Sequence, residues 1–245
     1  MARITRDDVI SIMGRDRDLT GLNLSMLKLN GLDMSEANLT DANLFYCDLA
    51  NTNLTGAILQ NANLMNARLP EAKMDYAYLA GAKLNHARLY RTSLVQAIFQ
   101  TAVLDYCNLT HARLAGADFT RARMDSCYLI GADLTGGCLR EASLVSANLT
   151  DAVLAQVDGE GANFQSANLT KARCERSFLV GAILADANLT NTNFVEADLS
   201  AATLSRATIE ETDFSYANLS IARFINAKIR DANFTGATID GAEGL

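Results

Sequence analysis

The chain has 245 residues, 49% of them apolar, and a formal net charge of −7 at pH 7. This acidic balance argues against a general binder of nucleic acids or anionic membranes, so we expect no direct nucleic-acid binding. The sequence contains no apolar run near the ~18 residues of a membrane span and no apolar signal-peptide core at the N-terminus, which predicts a cytoplasmic protein without a membrane partner.

The first sixteen residues predict a short helix over about residues 5–13. Thr5 can serve as its N-cap, Asp8 follows three residues later as a capping-box partner, and Gly14 can close the helix. The apolar side chains of this segment can cover the core of the structure that follows, because the end of a stacked structure otherwise exposes its interior. We therefore assign residues 1–16 to an N-terminal capping helix.

A repeat of five residues follows and runs without insertion from Leu19 to Ile239. Of its 45 central positions, 43 carry Leu, Phe, Met or Ile, and the position two before the centre is Ala in 31 repeats. Five residues advance about 500° on an α-helix, so these positions form no stripe there, and an odd period on a strand sends successive centres to opposite faces. The chain must therefore turn once per repeat and wind into a solenoid.

The pattern Ala-Asn/Asp-Leu-x-x, as in residues 37–46, resembles the pentapeptide-repeat family over about nine-tenths of the chain. The resemblance implies an all-β solenoid, a right-handed quadrilateral β-helix with four repeats, and hence twenty residues, per coil. Like residues that recur every twenty positions, such as Phe194, Phe214 and Phe234, independently support this period. The 45 repeats then predict about eleven coils over residues 17–241, followed by a C-terminal tail at residues 242–245.

Cys107 and Cys127 lie twenty residues apart at the inward small position, so they should stack on adjacent coils. A disulfide and a pair of reduced thiols in alanine positions both remain open. The second is favoured, because the five cysteines are odd in number and fit a reducing compartment. His111 is near both cysteines in the sequence but points outward, so we predict no metal site and no cofactor.

The one disturbance of the repeat lies at residues 157–161, where Gly159 removes a central side chain. Two glycines within three residues also loosen the backbone here. We expect Phe164, the next centre in the same coil, to fill the vacated volume. The alternative is a local bulge that creates a recognisable surface feature.

The C-terminal end of the repeat has no helix to cover it. After Ile239 only DGAEGL remains, which is too short to cover a coil whose core includes Phe234. An uncovered terminal coil presents an apolar patch and an unpaired strand edge, and a second copy of the chain is an economical cover. We therefore predict a possible homodimer through this coil, with Ile225, Phe234 and Ile239 at the dimer end.

The sequence offers no convergent set of catalytic groups. Its two histidines, His86 and His111, occupy outward corners of different faces, and no glycine-rich phosphate-binding motif is present. Outward carboxylates that lie outside a cleft remain solvated. We therefore do not expect their pKa values to rise into the range needed for general acid–base catalysis. We predict a protein that is not an enzyme and has no catalytic residues.

One face of the predicted solenoid carries most of the negative charge. It is centred on Leu19, Leu39 and every twentieth residue thereafter, and it holds eight outward acids against two arginines. The family resemblance implies two functions for such a rod. One is a scaffold or regulator, as in members abundant in cyanobacteria, which binds a protein partner through one face. The alternative is a DNA mimic that inhibits or protects DNA gyrase or another DNA-binding protein.

Two groups of outward residues are candidates for contact with a partner. On the acidic face, an exposed aromatic ringed by charge is typical of an interface anchor with its polar rim. The predicted patch consists of Glu141, Asp158, Glu160, Phe178 and Val180. A basic-aromatic group on a different face, interpreted as ordinary solvated surface, consists of Arg88, Tyr90, Arg91, His111 and Tyr128.

Overall fold

The computed structural model describes residues 4–245. Parallel bridges join residues that lie twenty positions apart, one in every repeat. The first bridge joins Asp18 to Asn38 and the last joins Arg223 to Glu243, with one at every fifth residue. Within the described residues, two stretches are long enough to count as strands, β1 (Thr208–Glu210) and β2 (Lys228–Arg230), and they pair in parallel. The chain therefore returns to the same face after four repeats.

Each repeat turns the chain at the two residues that follow its centre. In the repeat centred on Leu39, the Ala42 N–H donates to the Leu39 carbonyl over 3.0 Å, and Asp41 takes a positive φ of 57°. Glycine, asparagine and aspartate adopt this left-handed conformation at least cost. Tyr46 and His86 also adopt it, although bulky residues do so at a cost, which shows that the turn geometry overrides local preference there.

The centre of each repeat and the residue two positions before it point inward. Leu39, Ala42 and Leu44 are fully buried, and the same pattern continues through one core from Val9 to Phe224. Burying a Leu or Phe side chain contributes roughly 1.5–3 kcal/mol, so the five-residue pattern supplies the main stabilising term. The predicted ladder of phenylalanines is present, with ring centroids 5.3 Å apart between Phe194 and Phe214.

Helix α1 (Arg6–Met13) lies where the sequence predicts a helix. Thr5 is its N-cap and shares a capping box with Asp8, because the Thr5 side chain accepts from the Asp8 N–H and the Asp8 carboxylate accepts from the Thr5 N–H. Gly14 is the C-cap, and its N–H donates to the Ile10 carbonyl over 3.1 Å. The helix is therefore closed at both ends by the residues that mark it in the sequence.

The helix docks on the first coil through two kinds of contact. Val9 and Met13 are buried and join the core. The Arg6 guanidinium donates to the main-chain carbonyls of Lys28 and Asn30, over 2.5 and 3.2 Å. The helix thus contributes apolar side chains and main-chain hydrogen bonds to the start of the solenoid. None of the helices described has the length and hydropathy of a membrane span.

Gly159 does not interrupt the ladder. Asp158 bridges to Cys138 on one side and to Phe178 on the other, so no bulge forms. A Cβ added at Gly159 would lie 2.8 Å from Cδ2 of Leu179, which shows that Leu179 already occupies the vacated volume. The expectation that Phe164 fills it was wrong, because the nearest side chain to an inward position comes from the neighbouring coil and not from the next repeat of the same coil.

The tail boundary predicted at residue 241 also requires correction. Glu243 bridges to Arg223 and accepts from the Phe224 N–H over 2.7 Å. Ala242 stands at the inward position of a further repeat, so the main chain continues in register for two more residues. The ladder therefore extends to Glu243, and the residues beyond it are Gly244 and Leu245.

All five cysteines are free thiols. Cys107 and Cys127 are buried, and each Sγ donates to a main-chain carbonyl over 2.8 Å, of Leu84 and Leu104 respectively. Burial raises the pKa of the Cys107 thiol well above its ordinary value. These thiols therefore act as small core side chains in alanine positions.

Candidate functional site

Outward side chains form columns that run along the solenoid axis. Residues twenty positions apart bridge to each other, so neighbours in a column are separated by about 4.8 Å. Asn43 shows the pattern: its side-chain Nδ2 donates to Asn23 Oδ1 over 3.1 Å, and its side-chain Oδ1 accepts from Asn63 Nδ2 over 3.1 Å. The surface is therefore a set of parallel columns whose chemistry is set by single residues on a rigid backbone.

The acidic patch predicted from the sequence is assembled in space but is paired with arginines. Arg121 Nε donates to Glu141 over 2.8 Å, while Arg140 donates to Asp158 over 2.7 Å and to Glu160 over 2.6 Å. The hydrogen bond from Arg121, with its charge, lowers the pKa of the Glu141 carboxyl, and the hydrogen bond to Asp158 raises the pKa of the Arg140 guanidinium. Because these pairs are exposed to solvent, each contributes little to stability.

The apolar part of the same patch lies one coil further along. Phe178 bridges to Asp158 and to Asp198, and 40% of its surface remains exposed. Val180 is half-buried, and its carbonyl accepts from the Gly161 N–H. The structure thus brings the five predicted residues together on adjacent coils, with one exposed ring beside a set of ion pairs.

The C-terminal end presents an apolar concavity of about 390 Å³. Phe234 and Ile239 line it as predicted for the dimer end, whereas Ile225 is exposed nearby but does not line it. Ile229 and Leu245 also line it and were missed from the sequence. Ile229 could have been found as a central residue of the last coil, whereas Leu245 was assigned to a tail outside the fold.

A second concavity, of about 430 Å³, lies along one corner of the solenoid. It is bounded by a column of turn residues and by a column of bridged residues two positions later in each repeat, with Ala87 between them. We call it the basic-aromatic groove. The turn column consists of Tyr46, Asn66, His86 and Tyr106, and the bridged column consists of Arg68, Arg88, Asn108 and Tyr128.

Only part of this groove was recognised from the sequence. Arg88 and Tyr128 belong to the basic-aromatic group identified there, whereas the turn column was missed because its residues were assigned to the preceding face. His111 lies outside the groove and covers Gly131, since a Cβ there would lie 2.5 Å from His111 Nδ1. The sequence position of these residues could have revealed the groove, because the outward residues immediately before and after an inward alanine face the same groove.

The site chemistry is that of a binding surface. Across residues 4–245, no three His, Cys, Asp or Glu side chains come together in an arrangement that could hold a metal ion. The groove supplies aromatic faces and guanidinium donors, and the patch at Phe178 supplies an exposed ring and paired charges. Both arrangements can contact another molecule through planar and charged groups.

Comparison with known proteins identifies the fold. The family model of pentapeptide repeats matches in overlapping segments that together span residues 18–100 and 107–243. No curated protein sequence gives a match. Among solved structures, QnrB1, a plasmid-mediated fluoroquinolone resistance protein, is 17% identical over 77% of this chain and 84% of its own, with a TM-score of 0.50. This likeness bears on the fold alone.

Two further structures carry the same repeat. HetL, a pentapeptide repeat protein involved in heterocyst differentiation regulation in the cyanobacterium Nostoc sp. strain PCC 7120, is 25% identical over 98% of this chain and 96% of its own, with a TM-score of 0.32. A pentapeptide repeat protein of the Arabidopsis thaliana thylakoid lumen is 28% identical over 44% of this chain and 65% of its own, with a TM-score of 0.19. Pentapeptide repeats imply a right-handed quasi-β-helix, and because the family model covers most of its length, the chain belongs to the pentapeptide-repeat family.

Proposed function

We propose that this protein is a non-enzymatic interaction scaffold or regulator that binds a protein partner through the face around Phe178. The observation that carries the proposal is an exposed phenylalanine fixed between two bridged neighbours and bordered by ion-paired Glu141, Asp158 and Glu160. Aromatic anchors with polar rims dominate the energetics of protein interfaces. Because the ladder already fixes the main chain at Phe178, binding orders little additional backbone, which favours affinity.

The proposal includes the arrangement predicted from the sequence. Helix α1 caps the first coil, the repeats up to Glu243 supply the rod of about eleven coils, and the protein acts in the cytoplasm. The buried Val9 and Met13 support the capping role, because they extend the core beyond the first coil. A capped rod presents its sides, and not its N-terminal end, to a partner.

Capture of partners from the native host, read by mass spectrometry, identifies the molecule that binds. Wild type, Phe178→Ala and Ile58→Ala are compared, because Ile58 is 41% exposed at the same repeat position of the same face, six coils away. Calorimetry with the purified partner should show at least about fivefold weaker binding for Phe178→Ala, and no change for Ile58→Ala. Equal affinity of all three proteins would move the binding face elsewhere.

The charged rim should act mainly on the association rate. Replacing Asp158 and Glu160 with Lys leaves Arg140 without its partners and reverses the local charge. We expect slower association and a weaker dependence on salt, because rim charges steer encounter more than they hold the complex. Stopped-flow measurements at two ionic strengths test this, and an unchanged rate at low salt would contradict a role for the rim.

The DNA-mimic alternative predicts a different captured molecule. The outward acids of this face favour it, but Arg121 pairs with Glu141 and Arg140 with Asp158 and Glu160, which leaves little uncompensated charge in this patch. A DNA mimic needs an array of uncompensated negative charge, so this pairing favours the scaffold. Recovery of a gyrase subunit or another DNA-binding protein, released by competing duplex DNA, would instead support mimicry.

We also propose that two chains associate through the C-terminal coil. The apolar concavity at Phe234 and Ile239 supports this, since a second copy would cover both and would pair the open edge of the ladder. Light scattering should report a dimer for wild type and a monomer for Ile239→Asp. Ile221→Asp, at a more exposed isoleucine of a side turn, is the matched control and should remain dimeric. A wild-type chain that is monomeric at high concentration would contradict the proposed dimer.

A further inference from the structure

We propose, as a refinement of the protein-binding function above, that the basic-aromatic groove docks an acidic segment of a protein partner. The two columns that bound it stand on either side of Ala87, whose small buried side chain forms the floor. Because outward residues alternate with inward ones, the residues before and after an inward alanine project on the same side. The groove therefore follows from the repeat itself, and its chemistry follows from the residues placed in the two columns.

Its charge is opposite to that of the whole chain. The net charge of the protein is −7, yet the groove is lined by Arg68 and Arg88 and by no carboxylate. Arg88 forms no ion pair within the described part of the chain, and Arg68 meets only Asp48, at 3.5 Å. An exposed guanidinium without a carboxylate partner offers two parallel donors, which match a carboxylate group.

A further acid, Asp105, does not pair with Arg68 or Arg88. Asp105 is next to Tyr106 in the sequence, but its carboxylate accepts from Arg123 Nε over 2.7 Å and is largely buried. It also accepts from the Asp125 N–H over 3.3 Å. This carboxylate is therefore held away from the groove, and the positive charge of Arg88 stays available to a partner.

The aromatic side chains are placed at a backbone position that does not favour them. Tyr46, His86 and Tyr106 have φ values of 55°, 60° and 59°, whereas glycine and asparagine adopt this region at lower cost. His86 and Tyr106 stack with centroids 5.0 Å apart and planes 5° from parallel. Asn66 is shorter than the rings on either side of it and leaves a notch between them. The positive φ of the turn does not favour these rings, whereas tyrosine and arginine are the residues enriched at protein interfaces.

The dimensions fit a peptide better than a small molecule. The groove spans the coils from Tyr46 to Tyr128, so its length is roughly 20 Å at about 4.8 Å per coil. An extended peptide covers that length with about six residues. The lining tyrosines are about half exposed, whereas a small-molecule site buries most of its ligand. The occupant is therefore an extended, acidic protein segment that places carboxylates at Arg88 and a planar group in the notch at Asn66.

A displayed library of random twelve-residue peptides, selected on the full-length protein, tests this directly. We expect enrichment of peptides rich in Asp and Glu, and synthetic peptides of the consensus should bind at least about tenfold more weakly to Arg88→Gln. Arg113→Gln is the matched control, because Arg113 is also exposed at a bridged position, has no ion pair within residues 4–245 and lies outside the groove. The affinity of Arg113→Gln for the consensus peptides should stay within about twofold of that of the wild type.

The aromatic column has a control of its own. Tyr106→Asn replaces a groove residue with one that adopts positive φ readily, so the fold should be retained while peptide binding weakens. Tyr76→Asn makes the same change at a turn tyrosine with φ 61° outside the groove, and should bind the peptide as wild type does.

Recovery of no peptides, of peptides without acidic enrichment, or of peptides that bind Arg88→Gln as tightly as wild type would overturn the inference. Binding of single-stranded DNA in place of peptides, lost in Arg88→Gln, would assign the groove to nucleic acid and overturn it as well. Failure here leaves the capture experiment with Phe178→Ala unaffected, so the groove and the proposed function can fail separately.

Discussion

The two ends of the solenoid are built from the same five-residue pattern and differ in what lies on them. At the N-terminal end, Leu19, Leu24 and Leu29 are fully buried, and α1 adds Val9 to the core. At the C-terminal end, the central residue Ile239 is 49% exposed. A central apolar residue is therefore not sufficient for burial in this fold, because half of the cover of each coil comes from the next coil along the axis.

The last coil itself contains both buried and exposed central residues. Phe224 is fully buried, since its N–H pairs with Glu243 and a Cβ at Gly244 would lie 3.0 Å from its carbonyl carbon. Phe234, two repeats later, is half-buried. The final residues of the chain thus cover one of the four centres and leave the other three open.

The largest expected effect compares these two phenylalanines. Phe224→Ala should lower the free energy of unfolding by about 3–5 kcal/mol, because it leaves a cavity in a closed core. Phe234→Ala should cost about 1–2 kcal/mol in the monomer, since part of its surface already contacts water. Guanidinium unfolding of both variants provides the measurement. A cost at Phe234 equal to that at Phe224, at concentrations where the chain is dimeric, would show that a second copy covers this end.

The next effect concerns the helix at the opposite end. Val9→Asp places a carboxylate against the core and should destabilise the docked helix by about 2–3 kcal/mol, with local opening limiting the cost. Ile10→Asp makes the same change at an exposed position of the same helix and should cost less than about 0.5 kcal/mol. Hydrogen exchange of the first-coil amides distinguishes the variants, and equal protection in both would contradict the capping role.

A smaller effect is expected at the helix N-cap. Thr5→Ala removes the side-chain oxygen that accepts from the Asp8 N–H and should cost about 1 kcal/mol of local helix stability. Ser11→Ala, at an exposed position inside the helix, should be neutral or slightly stabilising. Hydrogen exchange of the α1 amides provides the measurement. Equal exchange rates in the two variants would show that the cap does not limit fraying of this end.

The smallest expected effect is measured with the cysteine thiols, whose labelling rates report opening at different positions along the rod. Burial raises the pKa of Cys47 to about 11, so this thiol stays protonated at pH 8 and should react with Ellman's reagent only when the structure opens. Cys138, at a partly exposed position, should react first. Val9→Asp should accelerate labelling of Cys47, near the helix, without changing that of Cys174. Equal acceleration at both cysteines would mean that the rod opens as a whole and not from one end.

The fold was predictable because one residue pattern repeats with one spacing. An apolar residue at nearly every centre, with alanine two positions earlier in most repeats, predicted the inward positions, and Thr5 with Asp8 predicted the start of the helix. Gly159 was misjudged because sequence proximity favoured Phe164, whereas Leu179 is the neighbour along the axis. The candidate sites were only partly predictable for the same reason, since the pairing of Arg140 with Glu160 and the alignment of His86 with Arg68 depend on side chains from adjacent coils.

Because bridged partners are twenty residues apart, the length of the rod can change without a change in the arrangement of its surface side chains. Gain or loss of twenty residues would lengthen or shorten the rod and leave every later side chain in its own column. Gain or loss of five would keep the leucines inside but turn everything downstream by a quarter of the circumference. A single extra repeat between Asn66 and His86 would therefore dismantle the groove while sparing the core, so whole-coil duplication is the route by which such a chain can grow without losing a binding surface.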